Sequence, residues 1–125
     1  MKWFWTFLFI SASVLAQTPT LTFTEPSGGE SFVNGTPIQI TWTSSNLAEN
    51  LVLEFSFDNQ ETWQPIAIDV PNSGQYTWSA PDITSDDMYL RAYGFSSRQF
   101  LDTTQTAFSL QGAGSKPIRI EAEDI

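Results

Sequence analysis

The sequence alternates between apolar and polar residues with a period of two, and this pattern constrains the fold more than any other feature. Residues 38–42 place Ile, Ile and Trp at every second position, and residues 51–57 place Leu, Leu, Phe and Phe in the same way. Because successive side chains of a strand point to opposite faces, each segment can bury one face and expose the other. No stretch after residue 18 keeps a helical period. The chain is therefore predicted to be all-β.

Breaks rich in glycine, proline, asparagine and aspartate separate the alternating segments. Asn34-Gly35 is one such break, since both residues tolerate the positive φ that tight turns require. Turn sequences recur roughly every 8–12 residues, which leaves strands predicted at residues 20–24, 38–42, 51–57, 63–68, 76–78, 88–93 and 107–110. The predicted fold is an Ig/fibronectin III-like Greek-key β-sandwich of about seven strands.

The fold must be held together by its apolar core, because the chain contains no cysteine that could form a disulfide. Trp42, Trp63 and Trp78 are the largest candidates for that core, since aromatic side chains bury roughly 150–250 Å² each. Trp42 and Trp78 fall on the predicted inward faces of their strands. All three tryptophans are therefore predicted to be structural core residues.

Residues 1–16 are predicted to be a signal peptide. Lys2 supplies positive charge, residues 3–10 form an apolar run, and Val14 and Ala16 suit the positions before a cleavage site after Ala16. A membrane anchor is the alternative, but the run is far shorter than the roughly 20 residues of a spanning helix. We expect a secreted or cell-surface protein without a membrane span in its mature form, and we expect it to be a monomer.

The predicted domain boundaries follow changes in composition. The sandwich is assigned to residues 18–110, and residues 111–116, which contain glycine and serine, are predicted to be a flexible linker. Residues 117–125 then begin a new strand-like segment. We interpret this segment as the truncated start of a second module, with an ordinary disordered tail as the alternative.

Composition argues against several classes of function. The formal net charge of −9 disfavours nucleic acid and anionic membranes as partners. The chain has no histidine and no cysteine, which excludes the most common general base, thiol nucleophiles and most zinc sites. A pair of carboxylates is the remaining catalytic option, but most acidic residues are predicted to lie in solvated turns: Asp58, Glu61, Asp82, Asp86, Asp87 and Asp102. We therefore expect no enzymatic activity, no cofactor and no metal.

One predicted strand offers a candidate surface for sugar. Tyr89, Arg91 and Tyr93 alternate with apolar residues and should share the outward face of that strand. Exposed aromatic rings can stack against pyranose rings while polar neighbours bind the hydroxyls, so these three are the tentative glycan-contact residues. Ordinary surface tyrosines are the alternative, since Tyr suits half-exposed strands.

Three motifs follow one another along the chain. Residues 25–30 read Glu-Pro-Ser-Gly-Gly-Glu, residues 35–42 read Gly-Thr-Pro-Ile-Gln-Ile-Thr-Trp, and residues 72–78 read Asn-Ser-Gly-Gln-Tyr-Thr-Trp. In this order they resemble the serine/threonine-rich, GPI-anchored-protein N-terminal domain family, which includes yeast cell-wall proteins needed for β-1,6-glucan assembly. The resemblance covers roughly residues 19–110. It implies an Ig-like sandwich without known catalytic residues, used as a spacer or attachment module.

The C-terminal segment carries a second resemblance. Residues 120–124 read Ile-Glu-Ala-Glu-Asp and are similar to the first strand of carbohydrate-binding module family 6. In that family a glutamate of this strand helps to bind a structural calcium, and Glu121 and Glu123 are the matching positions. So short a segment cannot form the site, and no metal is predicted for this chain.

A third resemblance concerns residues 56–63, which are similar to the Asp-box of sialidase propellers with Gln60 in place of the glycine. A propeller needs several such hairpins and a much longer chain. We interpret the segment as a structural hairpin in which Asp58 caps the turn through its side chain and Trp63 packs beneath it.

These features together suggest three hypotheses about function. The first is a non-catalytic accessory or spacer module of a secreted, multi-modular protein associated with polysaccharide binding or degradation. The second is a glycan-binding module that uses the face formed by Tyr89, Arg91 and Tyr93. The third is a cell-surface adhesion module, because edge strands of such sandwiches can pair with a neighbouring protein.

Overall fold

The computed structural model of the protein describes residues 17–112, which form nine strands and no helix. The predicted signal peptide, most of the predicted linker and the segment 117–125 lie outside these residues. In chain order the strands are β1 (Thr20–Glu25), β2 (Ser31–Val33), β3 (Pro37–Ser45), β4 (Leu51–Ser56), β5 (Gln64–Val70), β6 (Gln75–Ser79), β7 (Ser85–Gly94), β8 (Phe100–Thr103) and β9 (Phe108–Gln111).

The strands form two sheets that pack face to face. The smaller sheet has the order β1-β3-β6, and the larger has the order β2-β9-β7-β4-β5, with β8 also paired to β7. All pairs are antiparallel except β2 with β9. The chain crosses repeatedly from one sheet to the other, as in a Greek key. The prediction of an all-β, Ig-like sandwich is confirmed.

Two short strands were not predicted from the sequence. β2 has only three residues and no alternating pattern, and it forms by parallel pairing with β9. β8 pairs with the second half of β7, where Phe100 lies opposite Tyr93, while β9 pairs with the first half. Both strands exist because neighbouring strands offer them partners, which is a tertiary property that no local pattern encodes.

The inward faces of both sheets form one apolar core. From the smaller sheet come Leu21, Phe23, Ile38, Ile40, Trp42 and Trp78, and from the larger come Leu51, Leu53, Phe55, Val70, Met88, Leu90, Ala92, Phe108 and Leu110. Every second residue of β3 and of the second half of β7 contributes, as the alternation required. Trp42 and Trp78 are only 4% and 5% exposed and lie within this core.

The first of the three sequence motifs moves the chain from the smaller sheet to the larger one. The Glu30 carboxylate accepts hydrogen bonds from the backbone N–H groups of Ser27 and Gly28, both at 2.7 Å. Burial by itself would raise the pKa of Glu30, but these hydrogen bonds outweigh it and lower the pKa. Gly28 has a φ of 119°, and a side chain there would collide with Thr106. The motif is therefore a turn closed by its own carboxylate.

The second and third motifs meet through one hydrogen bond. The indole N–H of Trp42 on β3 donates to the side-chain oxygen of Asn72 at 2.8 Å, and the Asn72 amide donates to the Leu47 carbonyl at 3.1 Å. The backbone N–H of Trp42 also donates to the carbonyl of Gly74, whose φ is 91°. Asn72 thus gives a buried tryptophan the polar partner that its indole requires.

We predict that Asn72→Ala destabilises the domain by about 1–3 kcal/mol, because the indole N–H of Trp42 then stays buried without an acceptor. Urea unfolding of the wild type and the variant measures this difference. In a Trp42→Phe background the same substitution should cost clearly less, since the donor is already gone. Equal costs in the two backgrounds would contradict this role of Asn72. Gln39→Ala removes two exposed hydrogen bonds, one donated to Gln75 and one accepted from the Thr77 hydroxyl. It serves as the control and should change stability by less than about 0.5 kcal/mol.

Candidate functional site

The outer face of the larger sheet carries the candidate residues for sugar contact. On β7, Met88, Leu90 and Ala92 point into the core and are fully buried. The residues between them, Tyr89, Arg91 and Tyr93, are half-buried and share the outward face. The structure therefore brings these three candidates to one surface, and their surroundings decide which of them could contact a ligand.

Arg91 forms an ion pair with Glu54 on the adjacent strand β4, directly opposite in the register. Its Nε and one terminal nitrogen each lie 2.7 Å from Glu54 Oε1. No other salt bridge occurs among residues 17–112. Because the Glu54 side chain is only 15% exposed, this pair is better shielded from solvent than a typical surface pair. Glu54 was missed as a site residue, although its outward position between Leu53 and Phe55 could have identified it.

Tyr93 and Trp63 complete this cluster. The Tyr93 phenol donates to Glu54 Oε2 at 3.0 Å, and the Arg91 guanidinium carbon lies 4.3 Å from the Trp63 ring centroid and 5.9 Å from that of Tyr93. Partial burial, together with the hydrogen bond to Glu54, raises the pKa of Tyr93. The four side chains hold one another in place on the outer face of the sheet, through a cation–π contact and charge-assisted hydrogen bonds.

The prediction that Trp63 is a core residue is wrong. Trp63 is half-buried, immediately precedes β5 and packs against the guanidinium of Arg91 on the outside of the sheet. The physical reason is that the β4–β5 turn brings Trp63 back over the outer face. There its ring shields a charged group from water instead of filling the space between the sheets.

Tyr89 stands apart from this cluster. It lies opposite Ser56 on β4, and the Ser56 hydroxyl is directed into the β4–β5 turn, where it donates to Asp58 at 2.8 Å. Within residues 17–112, the ion pair and the ring contacts of Arg91 do not extend to Tyr89. Of the three candidates, Arg91 and Tyr93 therefore act together and Tyr89 does not join them.

Two of the other carboxylates close turns. Glu49 accepts from the Ser97 hydroxyl at 2.6 Å and from the N–H groups of Ser96 and Ser97, and these bonds lower the pKa of Glu49. Asp58 accepts from the hydroxyl and the N–H of Thr62, which with Ser56 lowers the pKa of Asp58 to about 2. Asp58 thus caps the β4–β5 turn through its side chain.

The prediction that three aspartates lie in turns is wrong. Asp86 and Asp87 lie in β7, and Asp102 lies in β8. The Asp102 carboxylate accepts the backbone N–H of Phe23 at 3.0 Å, so it links β8 to the edge of β1. β8 has no alternating pattern to mark it as a strand, and β7 begins earlier than expected because β9 pairs with its first residues.

A small cleft of about 130 Å³ opens between β1 and β8, lined by Thr22, Phe23, Pro26, Ser27, Asp102, Thr103, Thr104 and Gln105. Asp102 is the one carboxylate among these lining residues, and it is already hydrogen-bonded to the backbone. Across residues 17–112, no group of three or more acidic side chains is arranged to hold a metal ion. The same part of the chain contains no helix long and apolar enough to cross a membrane.

We predict that Asp58 makes the stability of the domain depend on pH in the acid range. Its pKa of about 2 in the folded state lies below the ordinary value of 3.8, so its stabilisation is complete above that value and is lost as the pH falls towards 2. The free energy of unfolding of wild type should therefore fall more steeply between pH 4 and pH 2 than that of Asp58→Asn. Parallel curves for the two proteins would show that the Asp58 carboxylate does not hold the turn. Asp82→Asn, at an exposed position, is the control and should follow the wild type.

One of three comparisons with known proteins gave a match, and that match covers most of the domain. The comparison with curated proteins and the comparison with solved structures gave no match. Among protein families, the one described as the Kre9/KNH-like N-terminal Ig-like domain matches residues 25–111. The match includes all three motifs and eight of the nine strands in full, from the turn closed by Glu30 to the end of β9. The chain belongs to the family of Kre9/KNH-like N-terminal Ig-like domains.

Proposed function

We propose that this domain is a non-catalytic accessory module that spaces or presents the flanking parts of an exported protein associated with polysaccharide. The observation that carries the proposal is the position of the two ends of the sandwich. The chain enters and leaves the described domain at opposite poles, as a spacer between neighbouring modules requires.

The strand register fixes these two positions. Thr20, the first residue of β1, lies opposite Ser45, the last residue of β3. Gln111, the last residue of β9, lies beside Val33, and its carbonyl accepts the N–H of Asn34, two residues before the Thr36 that precedes β3. The two ends are therefore separated by the length of β3, whose nine residues span roughly 25–30 Å.

The chemistry of the carboxylates supports the non-catalytic part of the proposal. Glu30, Glu49, Asp58 and Asp102 accept hydrogen bonds that close turns or join strands, and Glu54 is paired with Arg91. A glycoside hydrolase needs two carboxylates facing one scissile bond, one of them with a raised pKa. The pKa values of Glu30, Glu49 and Asp58 are all lowered instead.

The family supports the exported, polysaccharide-associated part of the proposal. The family that the three motifs resemble includes yeast cell-wall proteins needed for β-1,6-glucan assembly. The predicted signal peptide agrees with that location. A module that is exported, acidic and free of cysteine would remain soluble and folded outside the cell through its core alone.

We predict a single separation of at least about 25 Å between spin labels attached at the two ends of the sandwich. Thr18→Cys and Gln111→Cys provide two unique attachment sites, because the chain has no cysteine of its own. Double electron–electron resonance measures the distance. A separation below about 15 Å would place both ends at one pole and contradict the spacer role. Release of reducing sugar from glucans by the purified chain would contradict the non-catalytic role.

A further inference from the structure

We infer that the outer face of the larger sheet binds a neutral polysaccharide chain, with Phe100, Tyr93 and Ile68 as its apolar contact row and Arg91 with Glu54 as its polar border. The inference rests on the proposed function and extends it, since it assigns the domain a ligand class of its own. It also replaces Tyr89 as a contact residue, because Tyr89 does not take part in the cluster around Arg91.

The register places the contact row across four strands. Phe100 on β8 lies opposite Tyr93 on β7, Tyr93 lies opposite Val52 on β4, and Val52 lies opposite Ile68 on β5. Residues opposite each other in paired strands share a face of the sheet. The row therefore crosses three strand spacings, roughly 14 Å, at right angles to the strands.

The two ends of the row are unusually exposed. Phe100 is 59% exposed and Ile68 is 62% exposed, and they are the most exposed large apolar side chains among residues 17–112. Between them the ring of Tyr93 is half-buried and Val52 lies beneath its neighbours. The row is therefore open to water at Phe100 and Ile68 and partly open at Tyr93 between them. Two large apolar side chains left this exposed on either side of a tyrosine ring, on one face of one sheet, indicate a contact surface.

The polar border is the next outward-facing row of the sheet, two residues along β7 and β4 from Tyr93 and Val52. In this row Arg91 on β7 lies between Thr103 on β8 and Glu54 on β4, and Glu54 lies opposite Pro65 on β5. Arg91 is held by Glu54 and by the ring of Trp63, so its remaining N–H groups are fixed in direction before any ligand arrives. An apolar row beside ordered donors and acceptors matches a pyranose chain, which presents C–H faces and, at its edges, hydroxyl groups.

Charge selects an uncharged occupant. Within the cluster the positive charge of Arg91 is balanced by Glu54, so the border adds no net charge to the apolar row. The whole chain carries a net charge of −9, so an anionic polymer would be repelled as it approached. A cationic partner would find unpaired carboxylates elsewhere and would gain nothing from an apolar row. A neutral polysaccharide is not repelled by the net charge, and its C–H faces can contact the apolar row.

The test is affinity electrophoresis of the purified chain in gels that contain laminarin, pustulan or xyloglucan, three neutral polysaccharides, with polygalacturonate as the anionic comparison. Wild type should be retarded by at least one neutral polymer and should remain unretarded by polygalacturonate. The double variant Phe100→Ala/Ile68→Ala should lose at least tenfold in affinity. Because both side chains are largely exposed, its melting temperature should stay close to that of wild type.

A matched control separates the contact row from general surface hydrophobicity. Phe57 is 40% exposed and lies beyond the other end of β4, so Phe57→Ala should bind like wild type. Absence of retardation in all three neutral gels, retardation by polygalacturonate alone, or equal loss in Phe57→Ala would each overturn the inference. So would a concentration-dependent dimer of wild type, seen in sedimentation, that the double variant abolishes. None of these results would affect the distance measurement or the assay for released sugar, so the proposed function is tested separately.

Discussion

Burial of two facing apolar surfaces, without any covalent or metal support, is the constraint on which the rest of this structure depends. β3 supplies Ile38, Ile40 and Trp42 from one sheet, and β4 and β7 supply alternate residues from the other. A small domain buries a smaller share of its surface on folding than a large one does, so each inward position matters. The tryptophans achieve the greatest burial per residue, but Trp42 brings an indole N–H into the core and thereby requires Asn72 as its acceptor. This requirement links the second motif, which contains Trp42, to the third, which begins at Asn72.

Several acidic side chains of this domain stabilise the turns that connect its strands. Between strands, the turns must satisfy backbone N–H groups that no sheet can reach. Glu30, Glu49 and Asp58 accept those N–H groups, each within a turn or loop, and each has a lowered pKa as a result. Gly94 illustrates how tightly one of these turns is closed, because a side chain there would collide with the Glu49 carboxylate. These three carboxylates thus have a structural use in addition to their charge.

The sequence predicted the elements whose pattern is local and missed those that depend on a neighbour. Alternation identified β1, β3, β4, β5, β6, β7 and β9, and it placed Tyr89, Arg91 and Tyr93 correctly on one face. It missed β2 and β8, which are short and exist through pairing with β9 and β7. It assigned Trp63 to the core because size and hydrophobicity cannot distinguish a ring that fills a core from a ring that covers a guanidinium. The partner of Arg91 could not be assigned either, since the register that brings Glu54 opposite Arg91 is a long-range property.

The separation between inner and outer faces also determines where function can reside. Leu53 and Phe55 on β4 are committed to the core, whereas Glu54 between them is available to the outer face. We therefore expect substitutions in the outer cluster to leave the inward packing unchanged. The ligand preference of such a face can then vary while the sandwich persists. The two poles of the sandwich are where the chain enters and leaves. The smaller sheet presents mainly hydroxyl and amide side chains, such as those of Thr22, Thr24 and Gln39. Among the described residues, the outer face of the larger sheet is therefore the broad surface that combines aromatic rings with an ordered ion pair. A face of this kind needs no catalytic group to hold an uncharged polymer, since apolar contacts and ordered donors are enough.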